Sequence, residues 1–374
     1  MKVLCIQKST GRGGAKNSLL ETLTAMRRGE DLQPYVIAGT EGQFTERCEE
    51  IGVPFSVEWL PEWRKFLERL AFSRKMRGIA RKHAAMGIDW VISNEMWWAP
   101  HAVQIAKLLG CRSAVMVRDG IATVRKSRQY RLEQCHLVLP VSSTIAHSLQ
   151  SHPALANRVH VLFNSVSVPP SKPEDAAQLA GILAPFKDVG HWLLVVGKVG
   201  SRKKQADAVK VARALIDRGH RDLGLLLAGD IDPDYLPTMA AAISECRLNG
   251  RVAMIGNFNG LAALLDQAHT VLLTSLREGL PRSLVEAICA GKPAFSYPCE
   301  GVEDIYGTHI SRFVSASSEP GELAQILHIA WSNPSETSLA FAEVKQSVME
   351  RFSPHAHLNR LRSLISGTIQ KQTL

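Results

Sequence analysis

The stretch Glu278-Gly279-Leu280-Pro281-Arg282-Ser283-Leu284-Val285-Glu286 follows the β-rich run Thr270-Val271-Leu272-Leu273 and leads into Ile288 and Cys289, stopping at Gly291 and Pro293. It reads as strand, loop and helix, the repeating unit of a doubly wound parallel sheet. Ser283 with Glu286 three residues later has the spacing of a capping box, so the helix is expected to begin near Ser283. The orphan amides and positive dipole end of such a helix favour an anion. Glu278 in the loop and Glu286 in the first turn are then left to accept hydrogen bonds from hydroxyls. A diphosphate carrying a ribose on one side and a second sugar on the other satisfies all these groups at once. An isolated Ser-x-x-Glu is usually only a cap; the surrounding wording favours the ligand.

On both sides of this stretch the chain alternates between β-rich runs and helical segments. In the first half the runs are 2–7, 35–38, 90–92, 113–117, 137–140 and 159–162, with a helix from about Asn17 to Arg28 burying Leu19, Leu20, Leu23 and Met26. In the second half they are 192–196, 223–228, 252–255, 270–273 and 294–297, with 313–314 as a last short one. The polar, proline-rich segment 169–175 is the expected linker. No internal repeat or low-complexity tract stands out.

A chain of 374 residues is long enough for two domains. It has no apolar run near the roughly 20 residues of a spanning helix, and its first apolar residues are too few for a signal peptide, which implies a cytoplasmic protein. The seven cysteines include no Cys-x-x-Cys pair and no metal-like Cys/His spacing, so thiols are expected rather than disulfides or zinc. The net charge of +9 lies wholly in residues 1–170, while residues 171–374 balance. A basic first half beside a neutral second half suits an anionic surface or substrate. Nucleic acid is not among the expected partners.

At Glu278 and Glu286 the chain resembles the retaining GT-B glycosyltransferases called GT4, whose signature is a Glu, seven residues and a second Glu. Thr274-Ser275 before the first Glu, Gly279-Leu280-Pro281 after it, and Glu286-Ala287 leading to Ala290-Gly291-Lys292-Pro293 share the family's wording. The resemblance covers nearly the whole chain and is strongest from Leu193 to Ile305. It implies an α/β GT-B fold, two Rossmann-like doubly wound parallel-sheet domains facing a cleft. The acceptor domain would be 1–170, with a terminal helix at about 355–374 packing back on it, and the donor domain 185–352. It further implies a glycosyltransferase moving sugar, with retention, from a UDP- or GDP-linked nucleotide sugar to a saccharide or lipid-linked acceptor hydroxyl. Cell-surface polysaccharide, lipopolysaccharide or glycolipid synthesis would be the setting. No cofactor or metal is implied, the nucleotide sugar being a co-substrate.

The resemblance assigns roles to further residues. In Gly197-Lys198-Val199-Gly200-Ser201-Arg202-Lys203-Lys204-Gln205, Lys198 takes the place of the family's Arg and Lys204 that of its Lys, both on the donor diphosphate, with Lys203 a close competitor. Lysine is a point charge without the bidentate fork of arginine. Gly13-Gly14 matches a glycine pair that lets backbone approach the donor. The same loop is neither a Walker A motif nor Gly-x-Gly-x-x-Gly, which argues against a dinucleotide oxidoreductase. Arg118 stands where the family has a His beside the transferred sugar, and it cannot act as a base. Ile255 and Gly256 correspond to the loop framing the base, Glu300 to Ile305 to a glycine-rich acidic turn, and Asn164 to a hinge. Asp230-Ile231-Asp232-Pro233-Asp234 reads as a polar turn, and no metal is assigned to it. The expected catalytic set is therefore Glu278, Lys198, Lys204 and Arg118. Donor binding falls to Gly13, Gly14, Ile255, Gly256, Gly279, Leu280, Ser283, Leu284 and Glu286, with Glu286 on the ribose. An epimerase or hydrolase of nucleotide sugars, or a non-catalytic nucleotide-sugar-binding partner of another transferase, is the alternative.

Residues 59–82 interleave Trp59, Trp63, Phe66, Leu67, Leu70, Met76 and Ile79 with Arg64, Lys65, Arg69, Arg74, Lys75, Arg77, Arg81 and Lys82. Two readings of this basic amphipathic helix stay open. One is peripheral contact with anionic membrane at its inner face, and the other is a helix packed on the sheet with a basic solvated face.

Overall fold

The computed structural model describes residues 1–11, 13–29, 31–120 and 124–367. The chain divides into unit 1, Met1–Val166 with Arg351–Leu374, and unit 2, Ser167–Glu350. Unit 1 contains β1 (Lys2–Gln7), α1 (Gly14–Arg28), β2 (Gln33–Ala38), α2 (Gln43–Glu50), β3 (Phe55–Val57), α3 (Phe66–His83), β4 (Trp90–Ser93), α4 (Ala99–Leu109), β5 (Arg112–Val117), α5 (Val124–Gln129), β6 (Leu137–Pro140) and α6 (Ser143–Gln150). Unit 2 contains α7 (Pro173–Leu183), β7 (His191–Val196), α8 (Gln205–Asp217), β8 (Leu223–Ala228), α9 (Leu236–Glu245), β9 (Val252–Met254), α10 (Leu261–Gln267), β10 (Ala268–Leu273), α11 (Arg282–Cys289), β11 (Ala294–Ser296), α12 (Val302–Tyr306), α13 (Ile310–Phe313) and α14 (Pro320–Ser332). Helix α15 (Pro334–Phe352) runs across the boundary, and α16 (Pro354–Ser366) belongs to unit 1.

Both sheets are parallel throughout, in the orders β3-β2-β1-β4-β5-β6 and β11-β10-β7-β8-β9. Their strands are near-continuous Val, Leu and Ile because helices on a parallel sheet leave no solvated face. Strand order reverses beside the first strand of each unit, between β1 and β4 and between β7 and β10. In such sheets the crevice at the carboxyl ends of those two strands is where a ligand binds. This is the two-domain α/β GT-B fold expected from the sequence.

In unit 1, Leu4, Ile6, Ile37 and Val91 of the sheet pack against Phe72, Met76 and Ile79 of α3 and Ala102, Ile105 and Ala106 of α4. Helix α16 lies on α1. It is fastened there by the buried His357, whose Nδ1 donates to the Phe163 carbonyl at 2.6 Å while Nε2 meets Thr22 Oγ1 at 2.9 Å. The terminal helix expected over 355–374 is thus α16, and 368–374 lie outside the described residues.

Several local expectations are corrected. Residues 159–162 form no strand; Val159 makes a single bridge to Val138. Phe313 ends α13, and only Val314 bridges, to Ser296. Helix α1 begins at Gly14 rather than Asn17, because Gly13 at φ 155° supplies the turn into it. Pro173, expected within a linker, opens α7, a first-turn position where its missing N–H costs nothing. No helix among the described residues is long and apolar enough to cross a membrane, and no disulfide joins the cysteines.

Candidate active site

At the reversal point of unit 2 two loops meet, Gly197 to Lys204 after β7 and Thr274 to Pro281 after β10. The buried Gln205 shapes the first, accepting from the Gly200 N–H and donating to the Lys198 carbonyl, each at 3.0 Å. Thr274 Oγ1 donates to the Lys203 carbonyl at 2.9 Å and so joins the loops. Across this joint Lys203 Nζ donates to Glu278 Oε1 at 2.7 Å, with side chains only 14% and 11% exposed. Arg202 stands 4.0 Å from the same carboxylate, and the Glu278 N–H donates to Glu300 Oε2 at 3.0 Å. Gly197, at φ 137°, leaves space for this lysine, since a Cβ there would stand 3.2 Å from Lys203 Cε. Gly301, at φ 85°, likewise lets the turn bearing Glu300 close on Gly279 and Leu280.

Lys203, not Lys204, is therefore the lysine brought to Glu278. Lys204 caps α8 at φ 49°, the left-handed region that favours glycine, and reaches Asp207 at 3.2 Å. Lys198 turns to Asp232 at 3.2 Å.

Helix α11 starts at Arg282 with Pro281 as N-cap and without a side-chain cap. The capping box expected from Ser283 and Glu286 does not form. Instead the Arg282 guanidinium closes on Glu286 Oε1, with Nη2 at 2.8 Å and Nε at 3.2 Å. Leu280 and Leu284 are buried core residues, so what they and Gly279 offer a ligand is backbone. Ile255 and Gly256 follow β9 on the same sheet edge, where the Gly229 N–H donates to the Gly256 carbonyl at 2.7 Å. Among the described residues no group of three or more His, Cys, Asp and Glu side chains could hold a metal ion; Asp230 pairs with Asn257. Burial first, then Glu278 and Glu300, push the Cys299 thiol far up, so it stays neutral beside the site.

The reversal point of unit 1 carries different chemistry. Gly13 and Gly14 open α1 after β1, and the Gly13 carbonyl accepts from the Lys16 and Asn17 amides at 3.0 and 3.1 Å. Arg118, after β5, donates from Nε and Nη2 to Asn94 Oδ1 at 3.0 and 2.8 Å, and from Nη1 to Asn164 Oδ1. Asn94 in turn donates to Gln7 Oε1 at 2.6 Å and to the Ala15 carbonyl at 3.1 Å. The sequence reading missed Asn94 and Gln7. Their signal was a polar residue ending a buried apolar strand at each side of the reversal.

Residues 186–347 match the family described as Glycosyl transferases group 1. That stretch lies within unit 2. The matched stretch includes Lys203, Glu278 and α11. The chain is similar to the capsular polysaccharide biosynthesis glycosyltransferase CapH of Staphylococcus aureus, 21% identical over 77% of this chain and 78% of that protein. A 2-deoxystreptamine glucosyltransferase of Streptomyces kanamyceticus is 26% identical over 43% of this chain and 41% of that protein. The fold is also that of Anabaena Alr3699/HepE, solved in complex with UDP and glucose, with a TM-score of 0.80 at 18% identity, over 98% of this chain and 100% of that one.

Proposed function

We propose that this protein is a retaining glycosyltransferase, taking a sugar from a nucleoside diphosphate sugar to an acceptor hydroxyl in cell-surface polysaccharide, lipopolysaccharide or glycolipid synthesis. The observation that carries the reading is the part-buried Lys203–Glu278 pair at the reversal point of the unit that matches the group 1 glycosyltransferases. UDP is the favoured leaving group, since HepE is solved with UDP and with UDP-glucose.

In this reading the diphosphate lies on the α11 amides, with Lys203 between it and Glu278 and with Lys198 and Lys204 at the rim. Breaking the bond from the anomeric carbon to the phosphate oxygen puts charge on the diphosphate, which the fixed lysine and amides stabilise. Glu278 orients the sugar hydroxyls, and Glu286, held by Arg282, the ribose. The acceptor oxygen bonds the anomeric carbon on the face the phosphate leaves, and its proton passes to the departing phosphate oxygen. No protein base is used; Arg118 cannot supply one, and it serves to hold Asn94 and Asn164. The basic unit 1 takes the acceptor.

The test is UDP release from UDP-sugars by wild type and Glu278→Gln, with the product anomer read by NMR. Turnover lost in the variant with UDP binding kept supports the reading, and near-normal turnover of Glu278→Gln overturns it. An inverted product overturns retention alone.

A further inference from the structure

Helix α3 is two helices in one. From Phe72 onward it buries Phe72, Met76, Ile79 and Ala80 in the unit 1 core. Its basic residues there are partly structural: Lys75 and Lys82 donate to the buried Glu58 at 2.8 and 2.5 Å. In the amino half, Phe66, Leu67 and Leu70 are 76%, 77% and 71% exposed, and Trp59 just before the helix is 50% exposed. Three large apolar side chains within five residues, each over two-thirds exposed, form a patch that a water-facing helix does not keep.

A second observation says what covers it. Helix α3 joins the parallel strands β3 and β4, so its first turns stand at the carboxyl rim of the sheet, beside the segments that follow β4 and β5. There the tryptophans are each paired with a cation. Arg69 and Arg131 lie 4.7 and 4.4 Å from Trp63, Lys126 5.2 Å from Trp97, and Lys8 4.9 Å from Trp98. Trp63 Nε1 donates to the Gln129 carbonyl at 3.1 Å, tying the segment that leads into α3 to the basic α5. Arg64, Arg69, Arg125 and Arg128 of the same segments are exposed, as is Arg74 one turn beyond Leu70, whereas Glu62 and Glu68 are engaged by Lys65. Half-buried Trp with cations at one level and apolar side chains projecting beyond them is the composition of a surface that sits at a lipid headgroup boundary.

We propose that the amino half of α3, with Trp59, is a docking face for an anionic lipid bilayer, Phe66, Leu67 and Leu70 entering the acyl boundary while the arginines of the rim meet lipid phosphates. The charge of the chain fits this occupant, since its entire positive excess lies in residues 1–170. The face does not depend on the proposed transfer reaction.

Cosedimentation with phosphatidylcholine vesicles, with and without phosphatidylglycerol, tests it on the full chain. Wild type is expected to pellet with the anionic vesicles and to be released by high salt, and Phe66→Ser with Leu67→Ser and Leu70→Ser to bind at least about tenfold more weakly at unchanged melting temperature. Arg64→Gln with Arg74→Gln should weaken binding while leaving the apolar face intact. Wild type that ignores both vesicle types, or a triple serine variant that binds like wild type, overturns the proposal. So does a dimer in solution that the triple variant dissolves, because a second copy would then own the face.

Discussion

The two sheets repeat one topology and furnish its reversal point with opposite chemistry. In unit 2 the loops after β7 and β10 are locked by a charged pair, Lys203 with Glu278. In unit 1 the strands β1, β4 and β5 are locked by amides, Gln7, Asn94 and Asn164, around the single charge of Arg118. A buried ion pair is costly to assemble and contributes little net stability, so its presence points to use, whereas a satisfied amide network fixes loop geometry. The same topology thus supplies two positions, and the residues at each give it different chemistry.

The sharpest way to break this contrast is Glu278→Ala. It should slow turnover by about 10²- to 10³-fold, as loss of a preorganised transition-state contact does, measured as UDP release at saturating donor. Asn94→Ala should instead cost about 3 kcal/mol of unit 1 stability by denaturant unfolding, because it leaves Gln7 and Arg118 short of partners. A value under about 1 kcal/mol would mean that the network is not structural.

Acid should separate the units further. The buried His101 and His357, both in unit 1, are pushed down to about 4, chiefly by burial. Their folded values lie below the ordinary imidazole value of 6.5. The unfolded chain therefore takes up protons first as pH falls below 6.5, and stability is lost between pH 6.5 and 4. At pH 5 the loss is about 2 kcal/mol from each. The half-buried His220 and the exposed His269 of unit 2 shift in the same direction. Unit 1 should thus melt earlier at pH 5 than at pH 7, read by pH-dependent hydrogen exchange, and Thr22→Val should not remove the effect. The smallest expected change is Lys204→Gly, which relieves a left-handed lysine and should stabilise unit 2 by about 0.5–1 kcal/mol, since Asp207 keeps its contacts to Lys210 and Tyr297.

What was legible in the sequence was what period and punctuation encode. Apolar runs alternating with amphipathic segments gave the two parallel sheets, and Glu278 stood out because it and Glu286 flank the start of one helix, with seven residues between them. The partner of Glu278 was illegible at single-residue resolution. Lys203 and Lys204 are adjacent, and only the backbone at Lys204, φ 49°, turns the one inward and the other into a helix cap. The capping box failed for a related reason. Arg282 can claim Glu286 one turn away, a competition that spacing alone does not rank. The Asn94 network joins residues from 7 to 164 and leaves no local pattern.

Calorimetric titration of UDP into wild type, Lys203→Ala and Arg118→Gln tests the central assignment most directly. The account predicts that wild type binds UDP, that Lys203→Ala binds it at least about tenfold more weakly through loss of a charge-assisted contact, and that Arg118→Gln binds it like wild type. Equal losses in both variants, or no UDP binding by wild type, would contradict the assignment of the leaving group to the reversal point of unit 2.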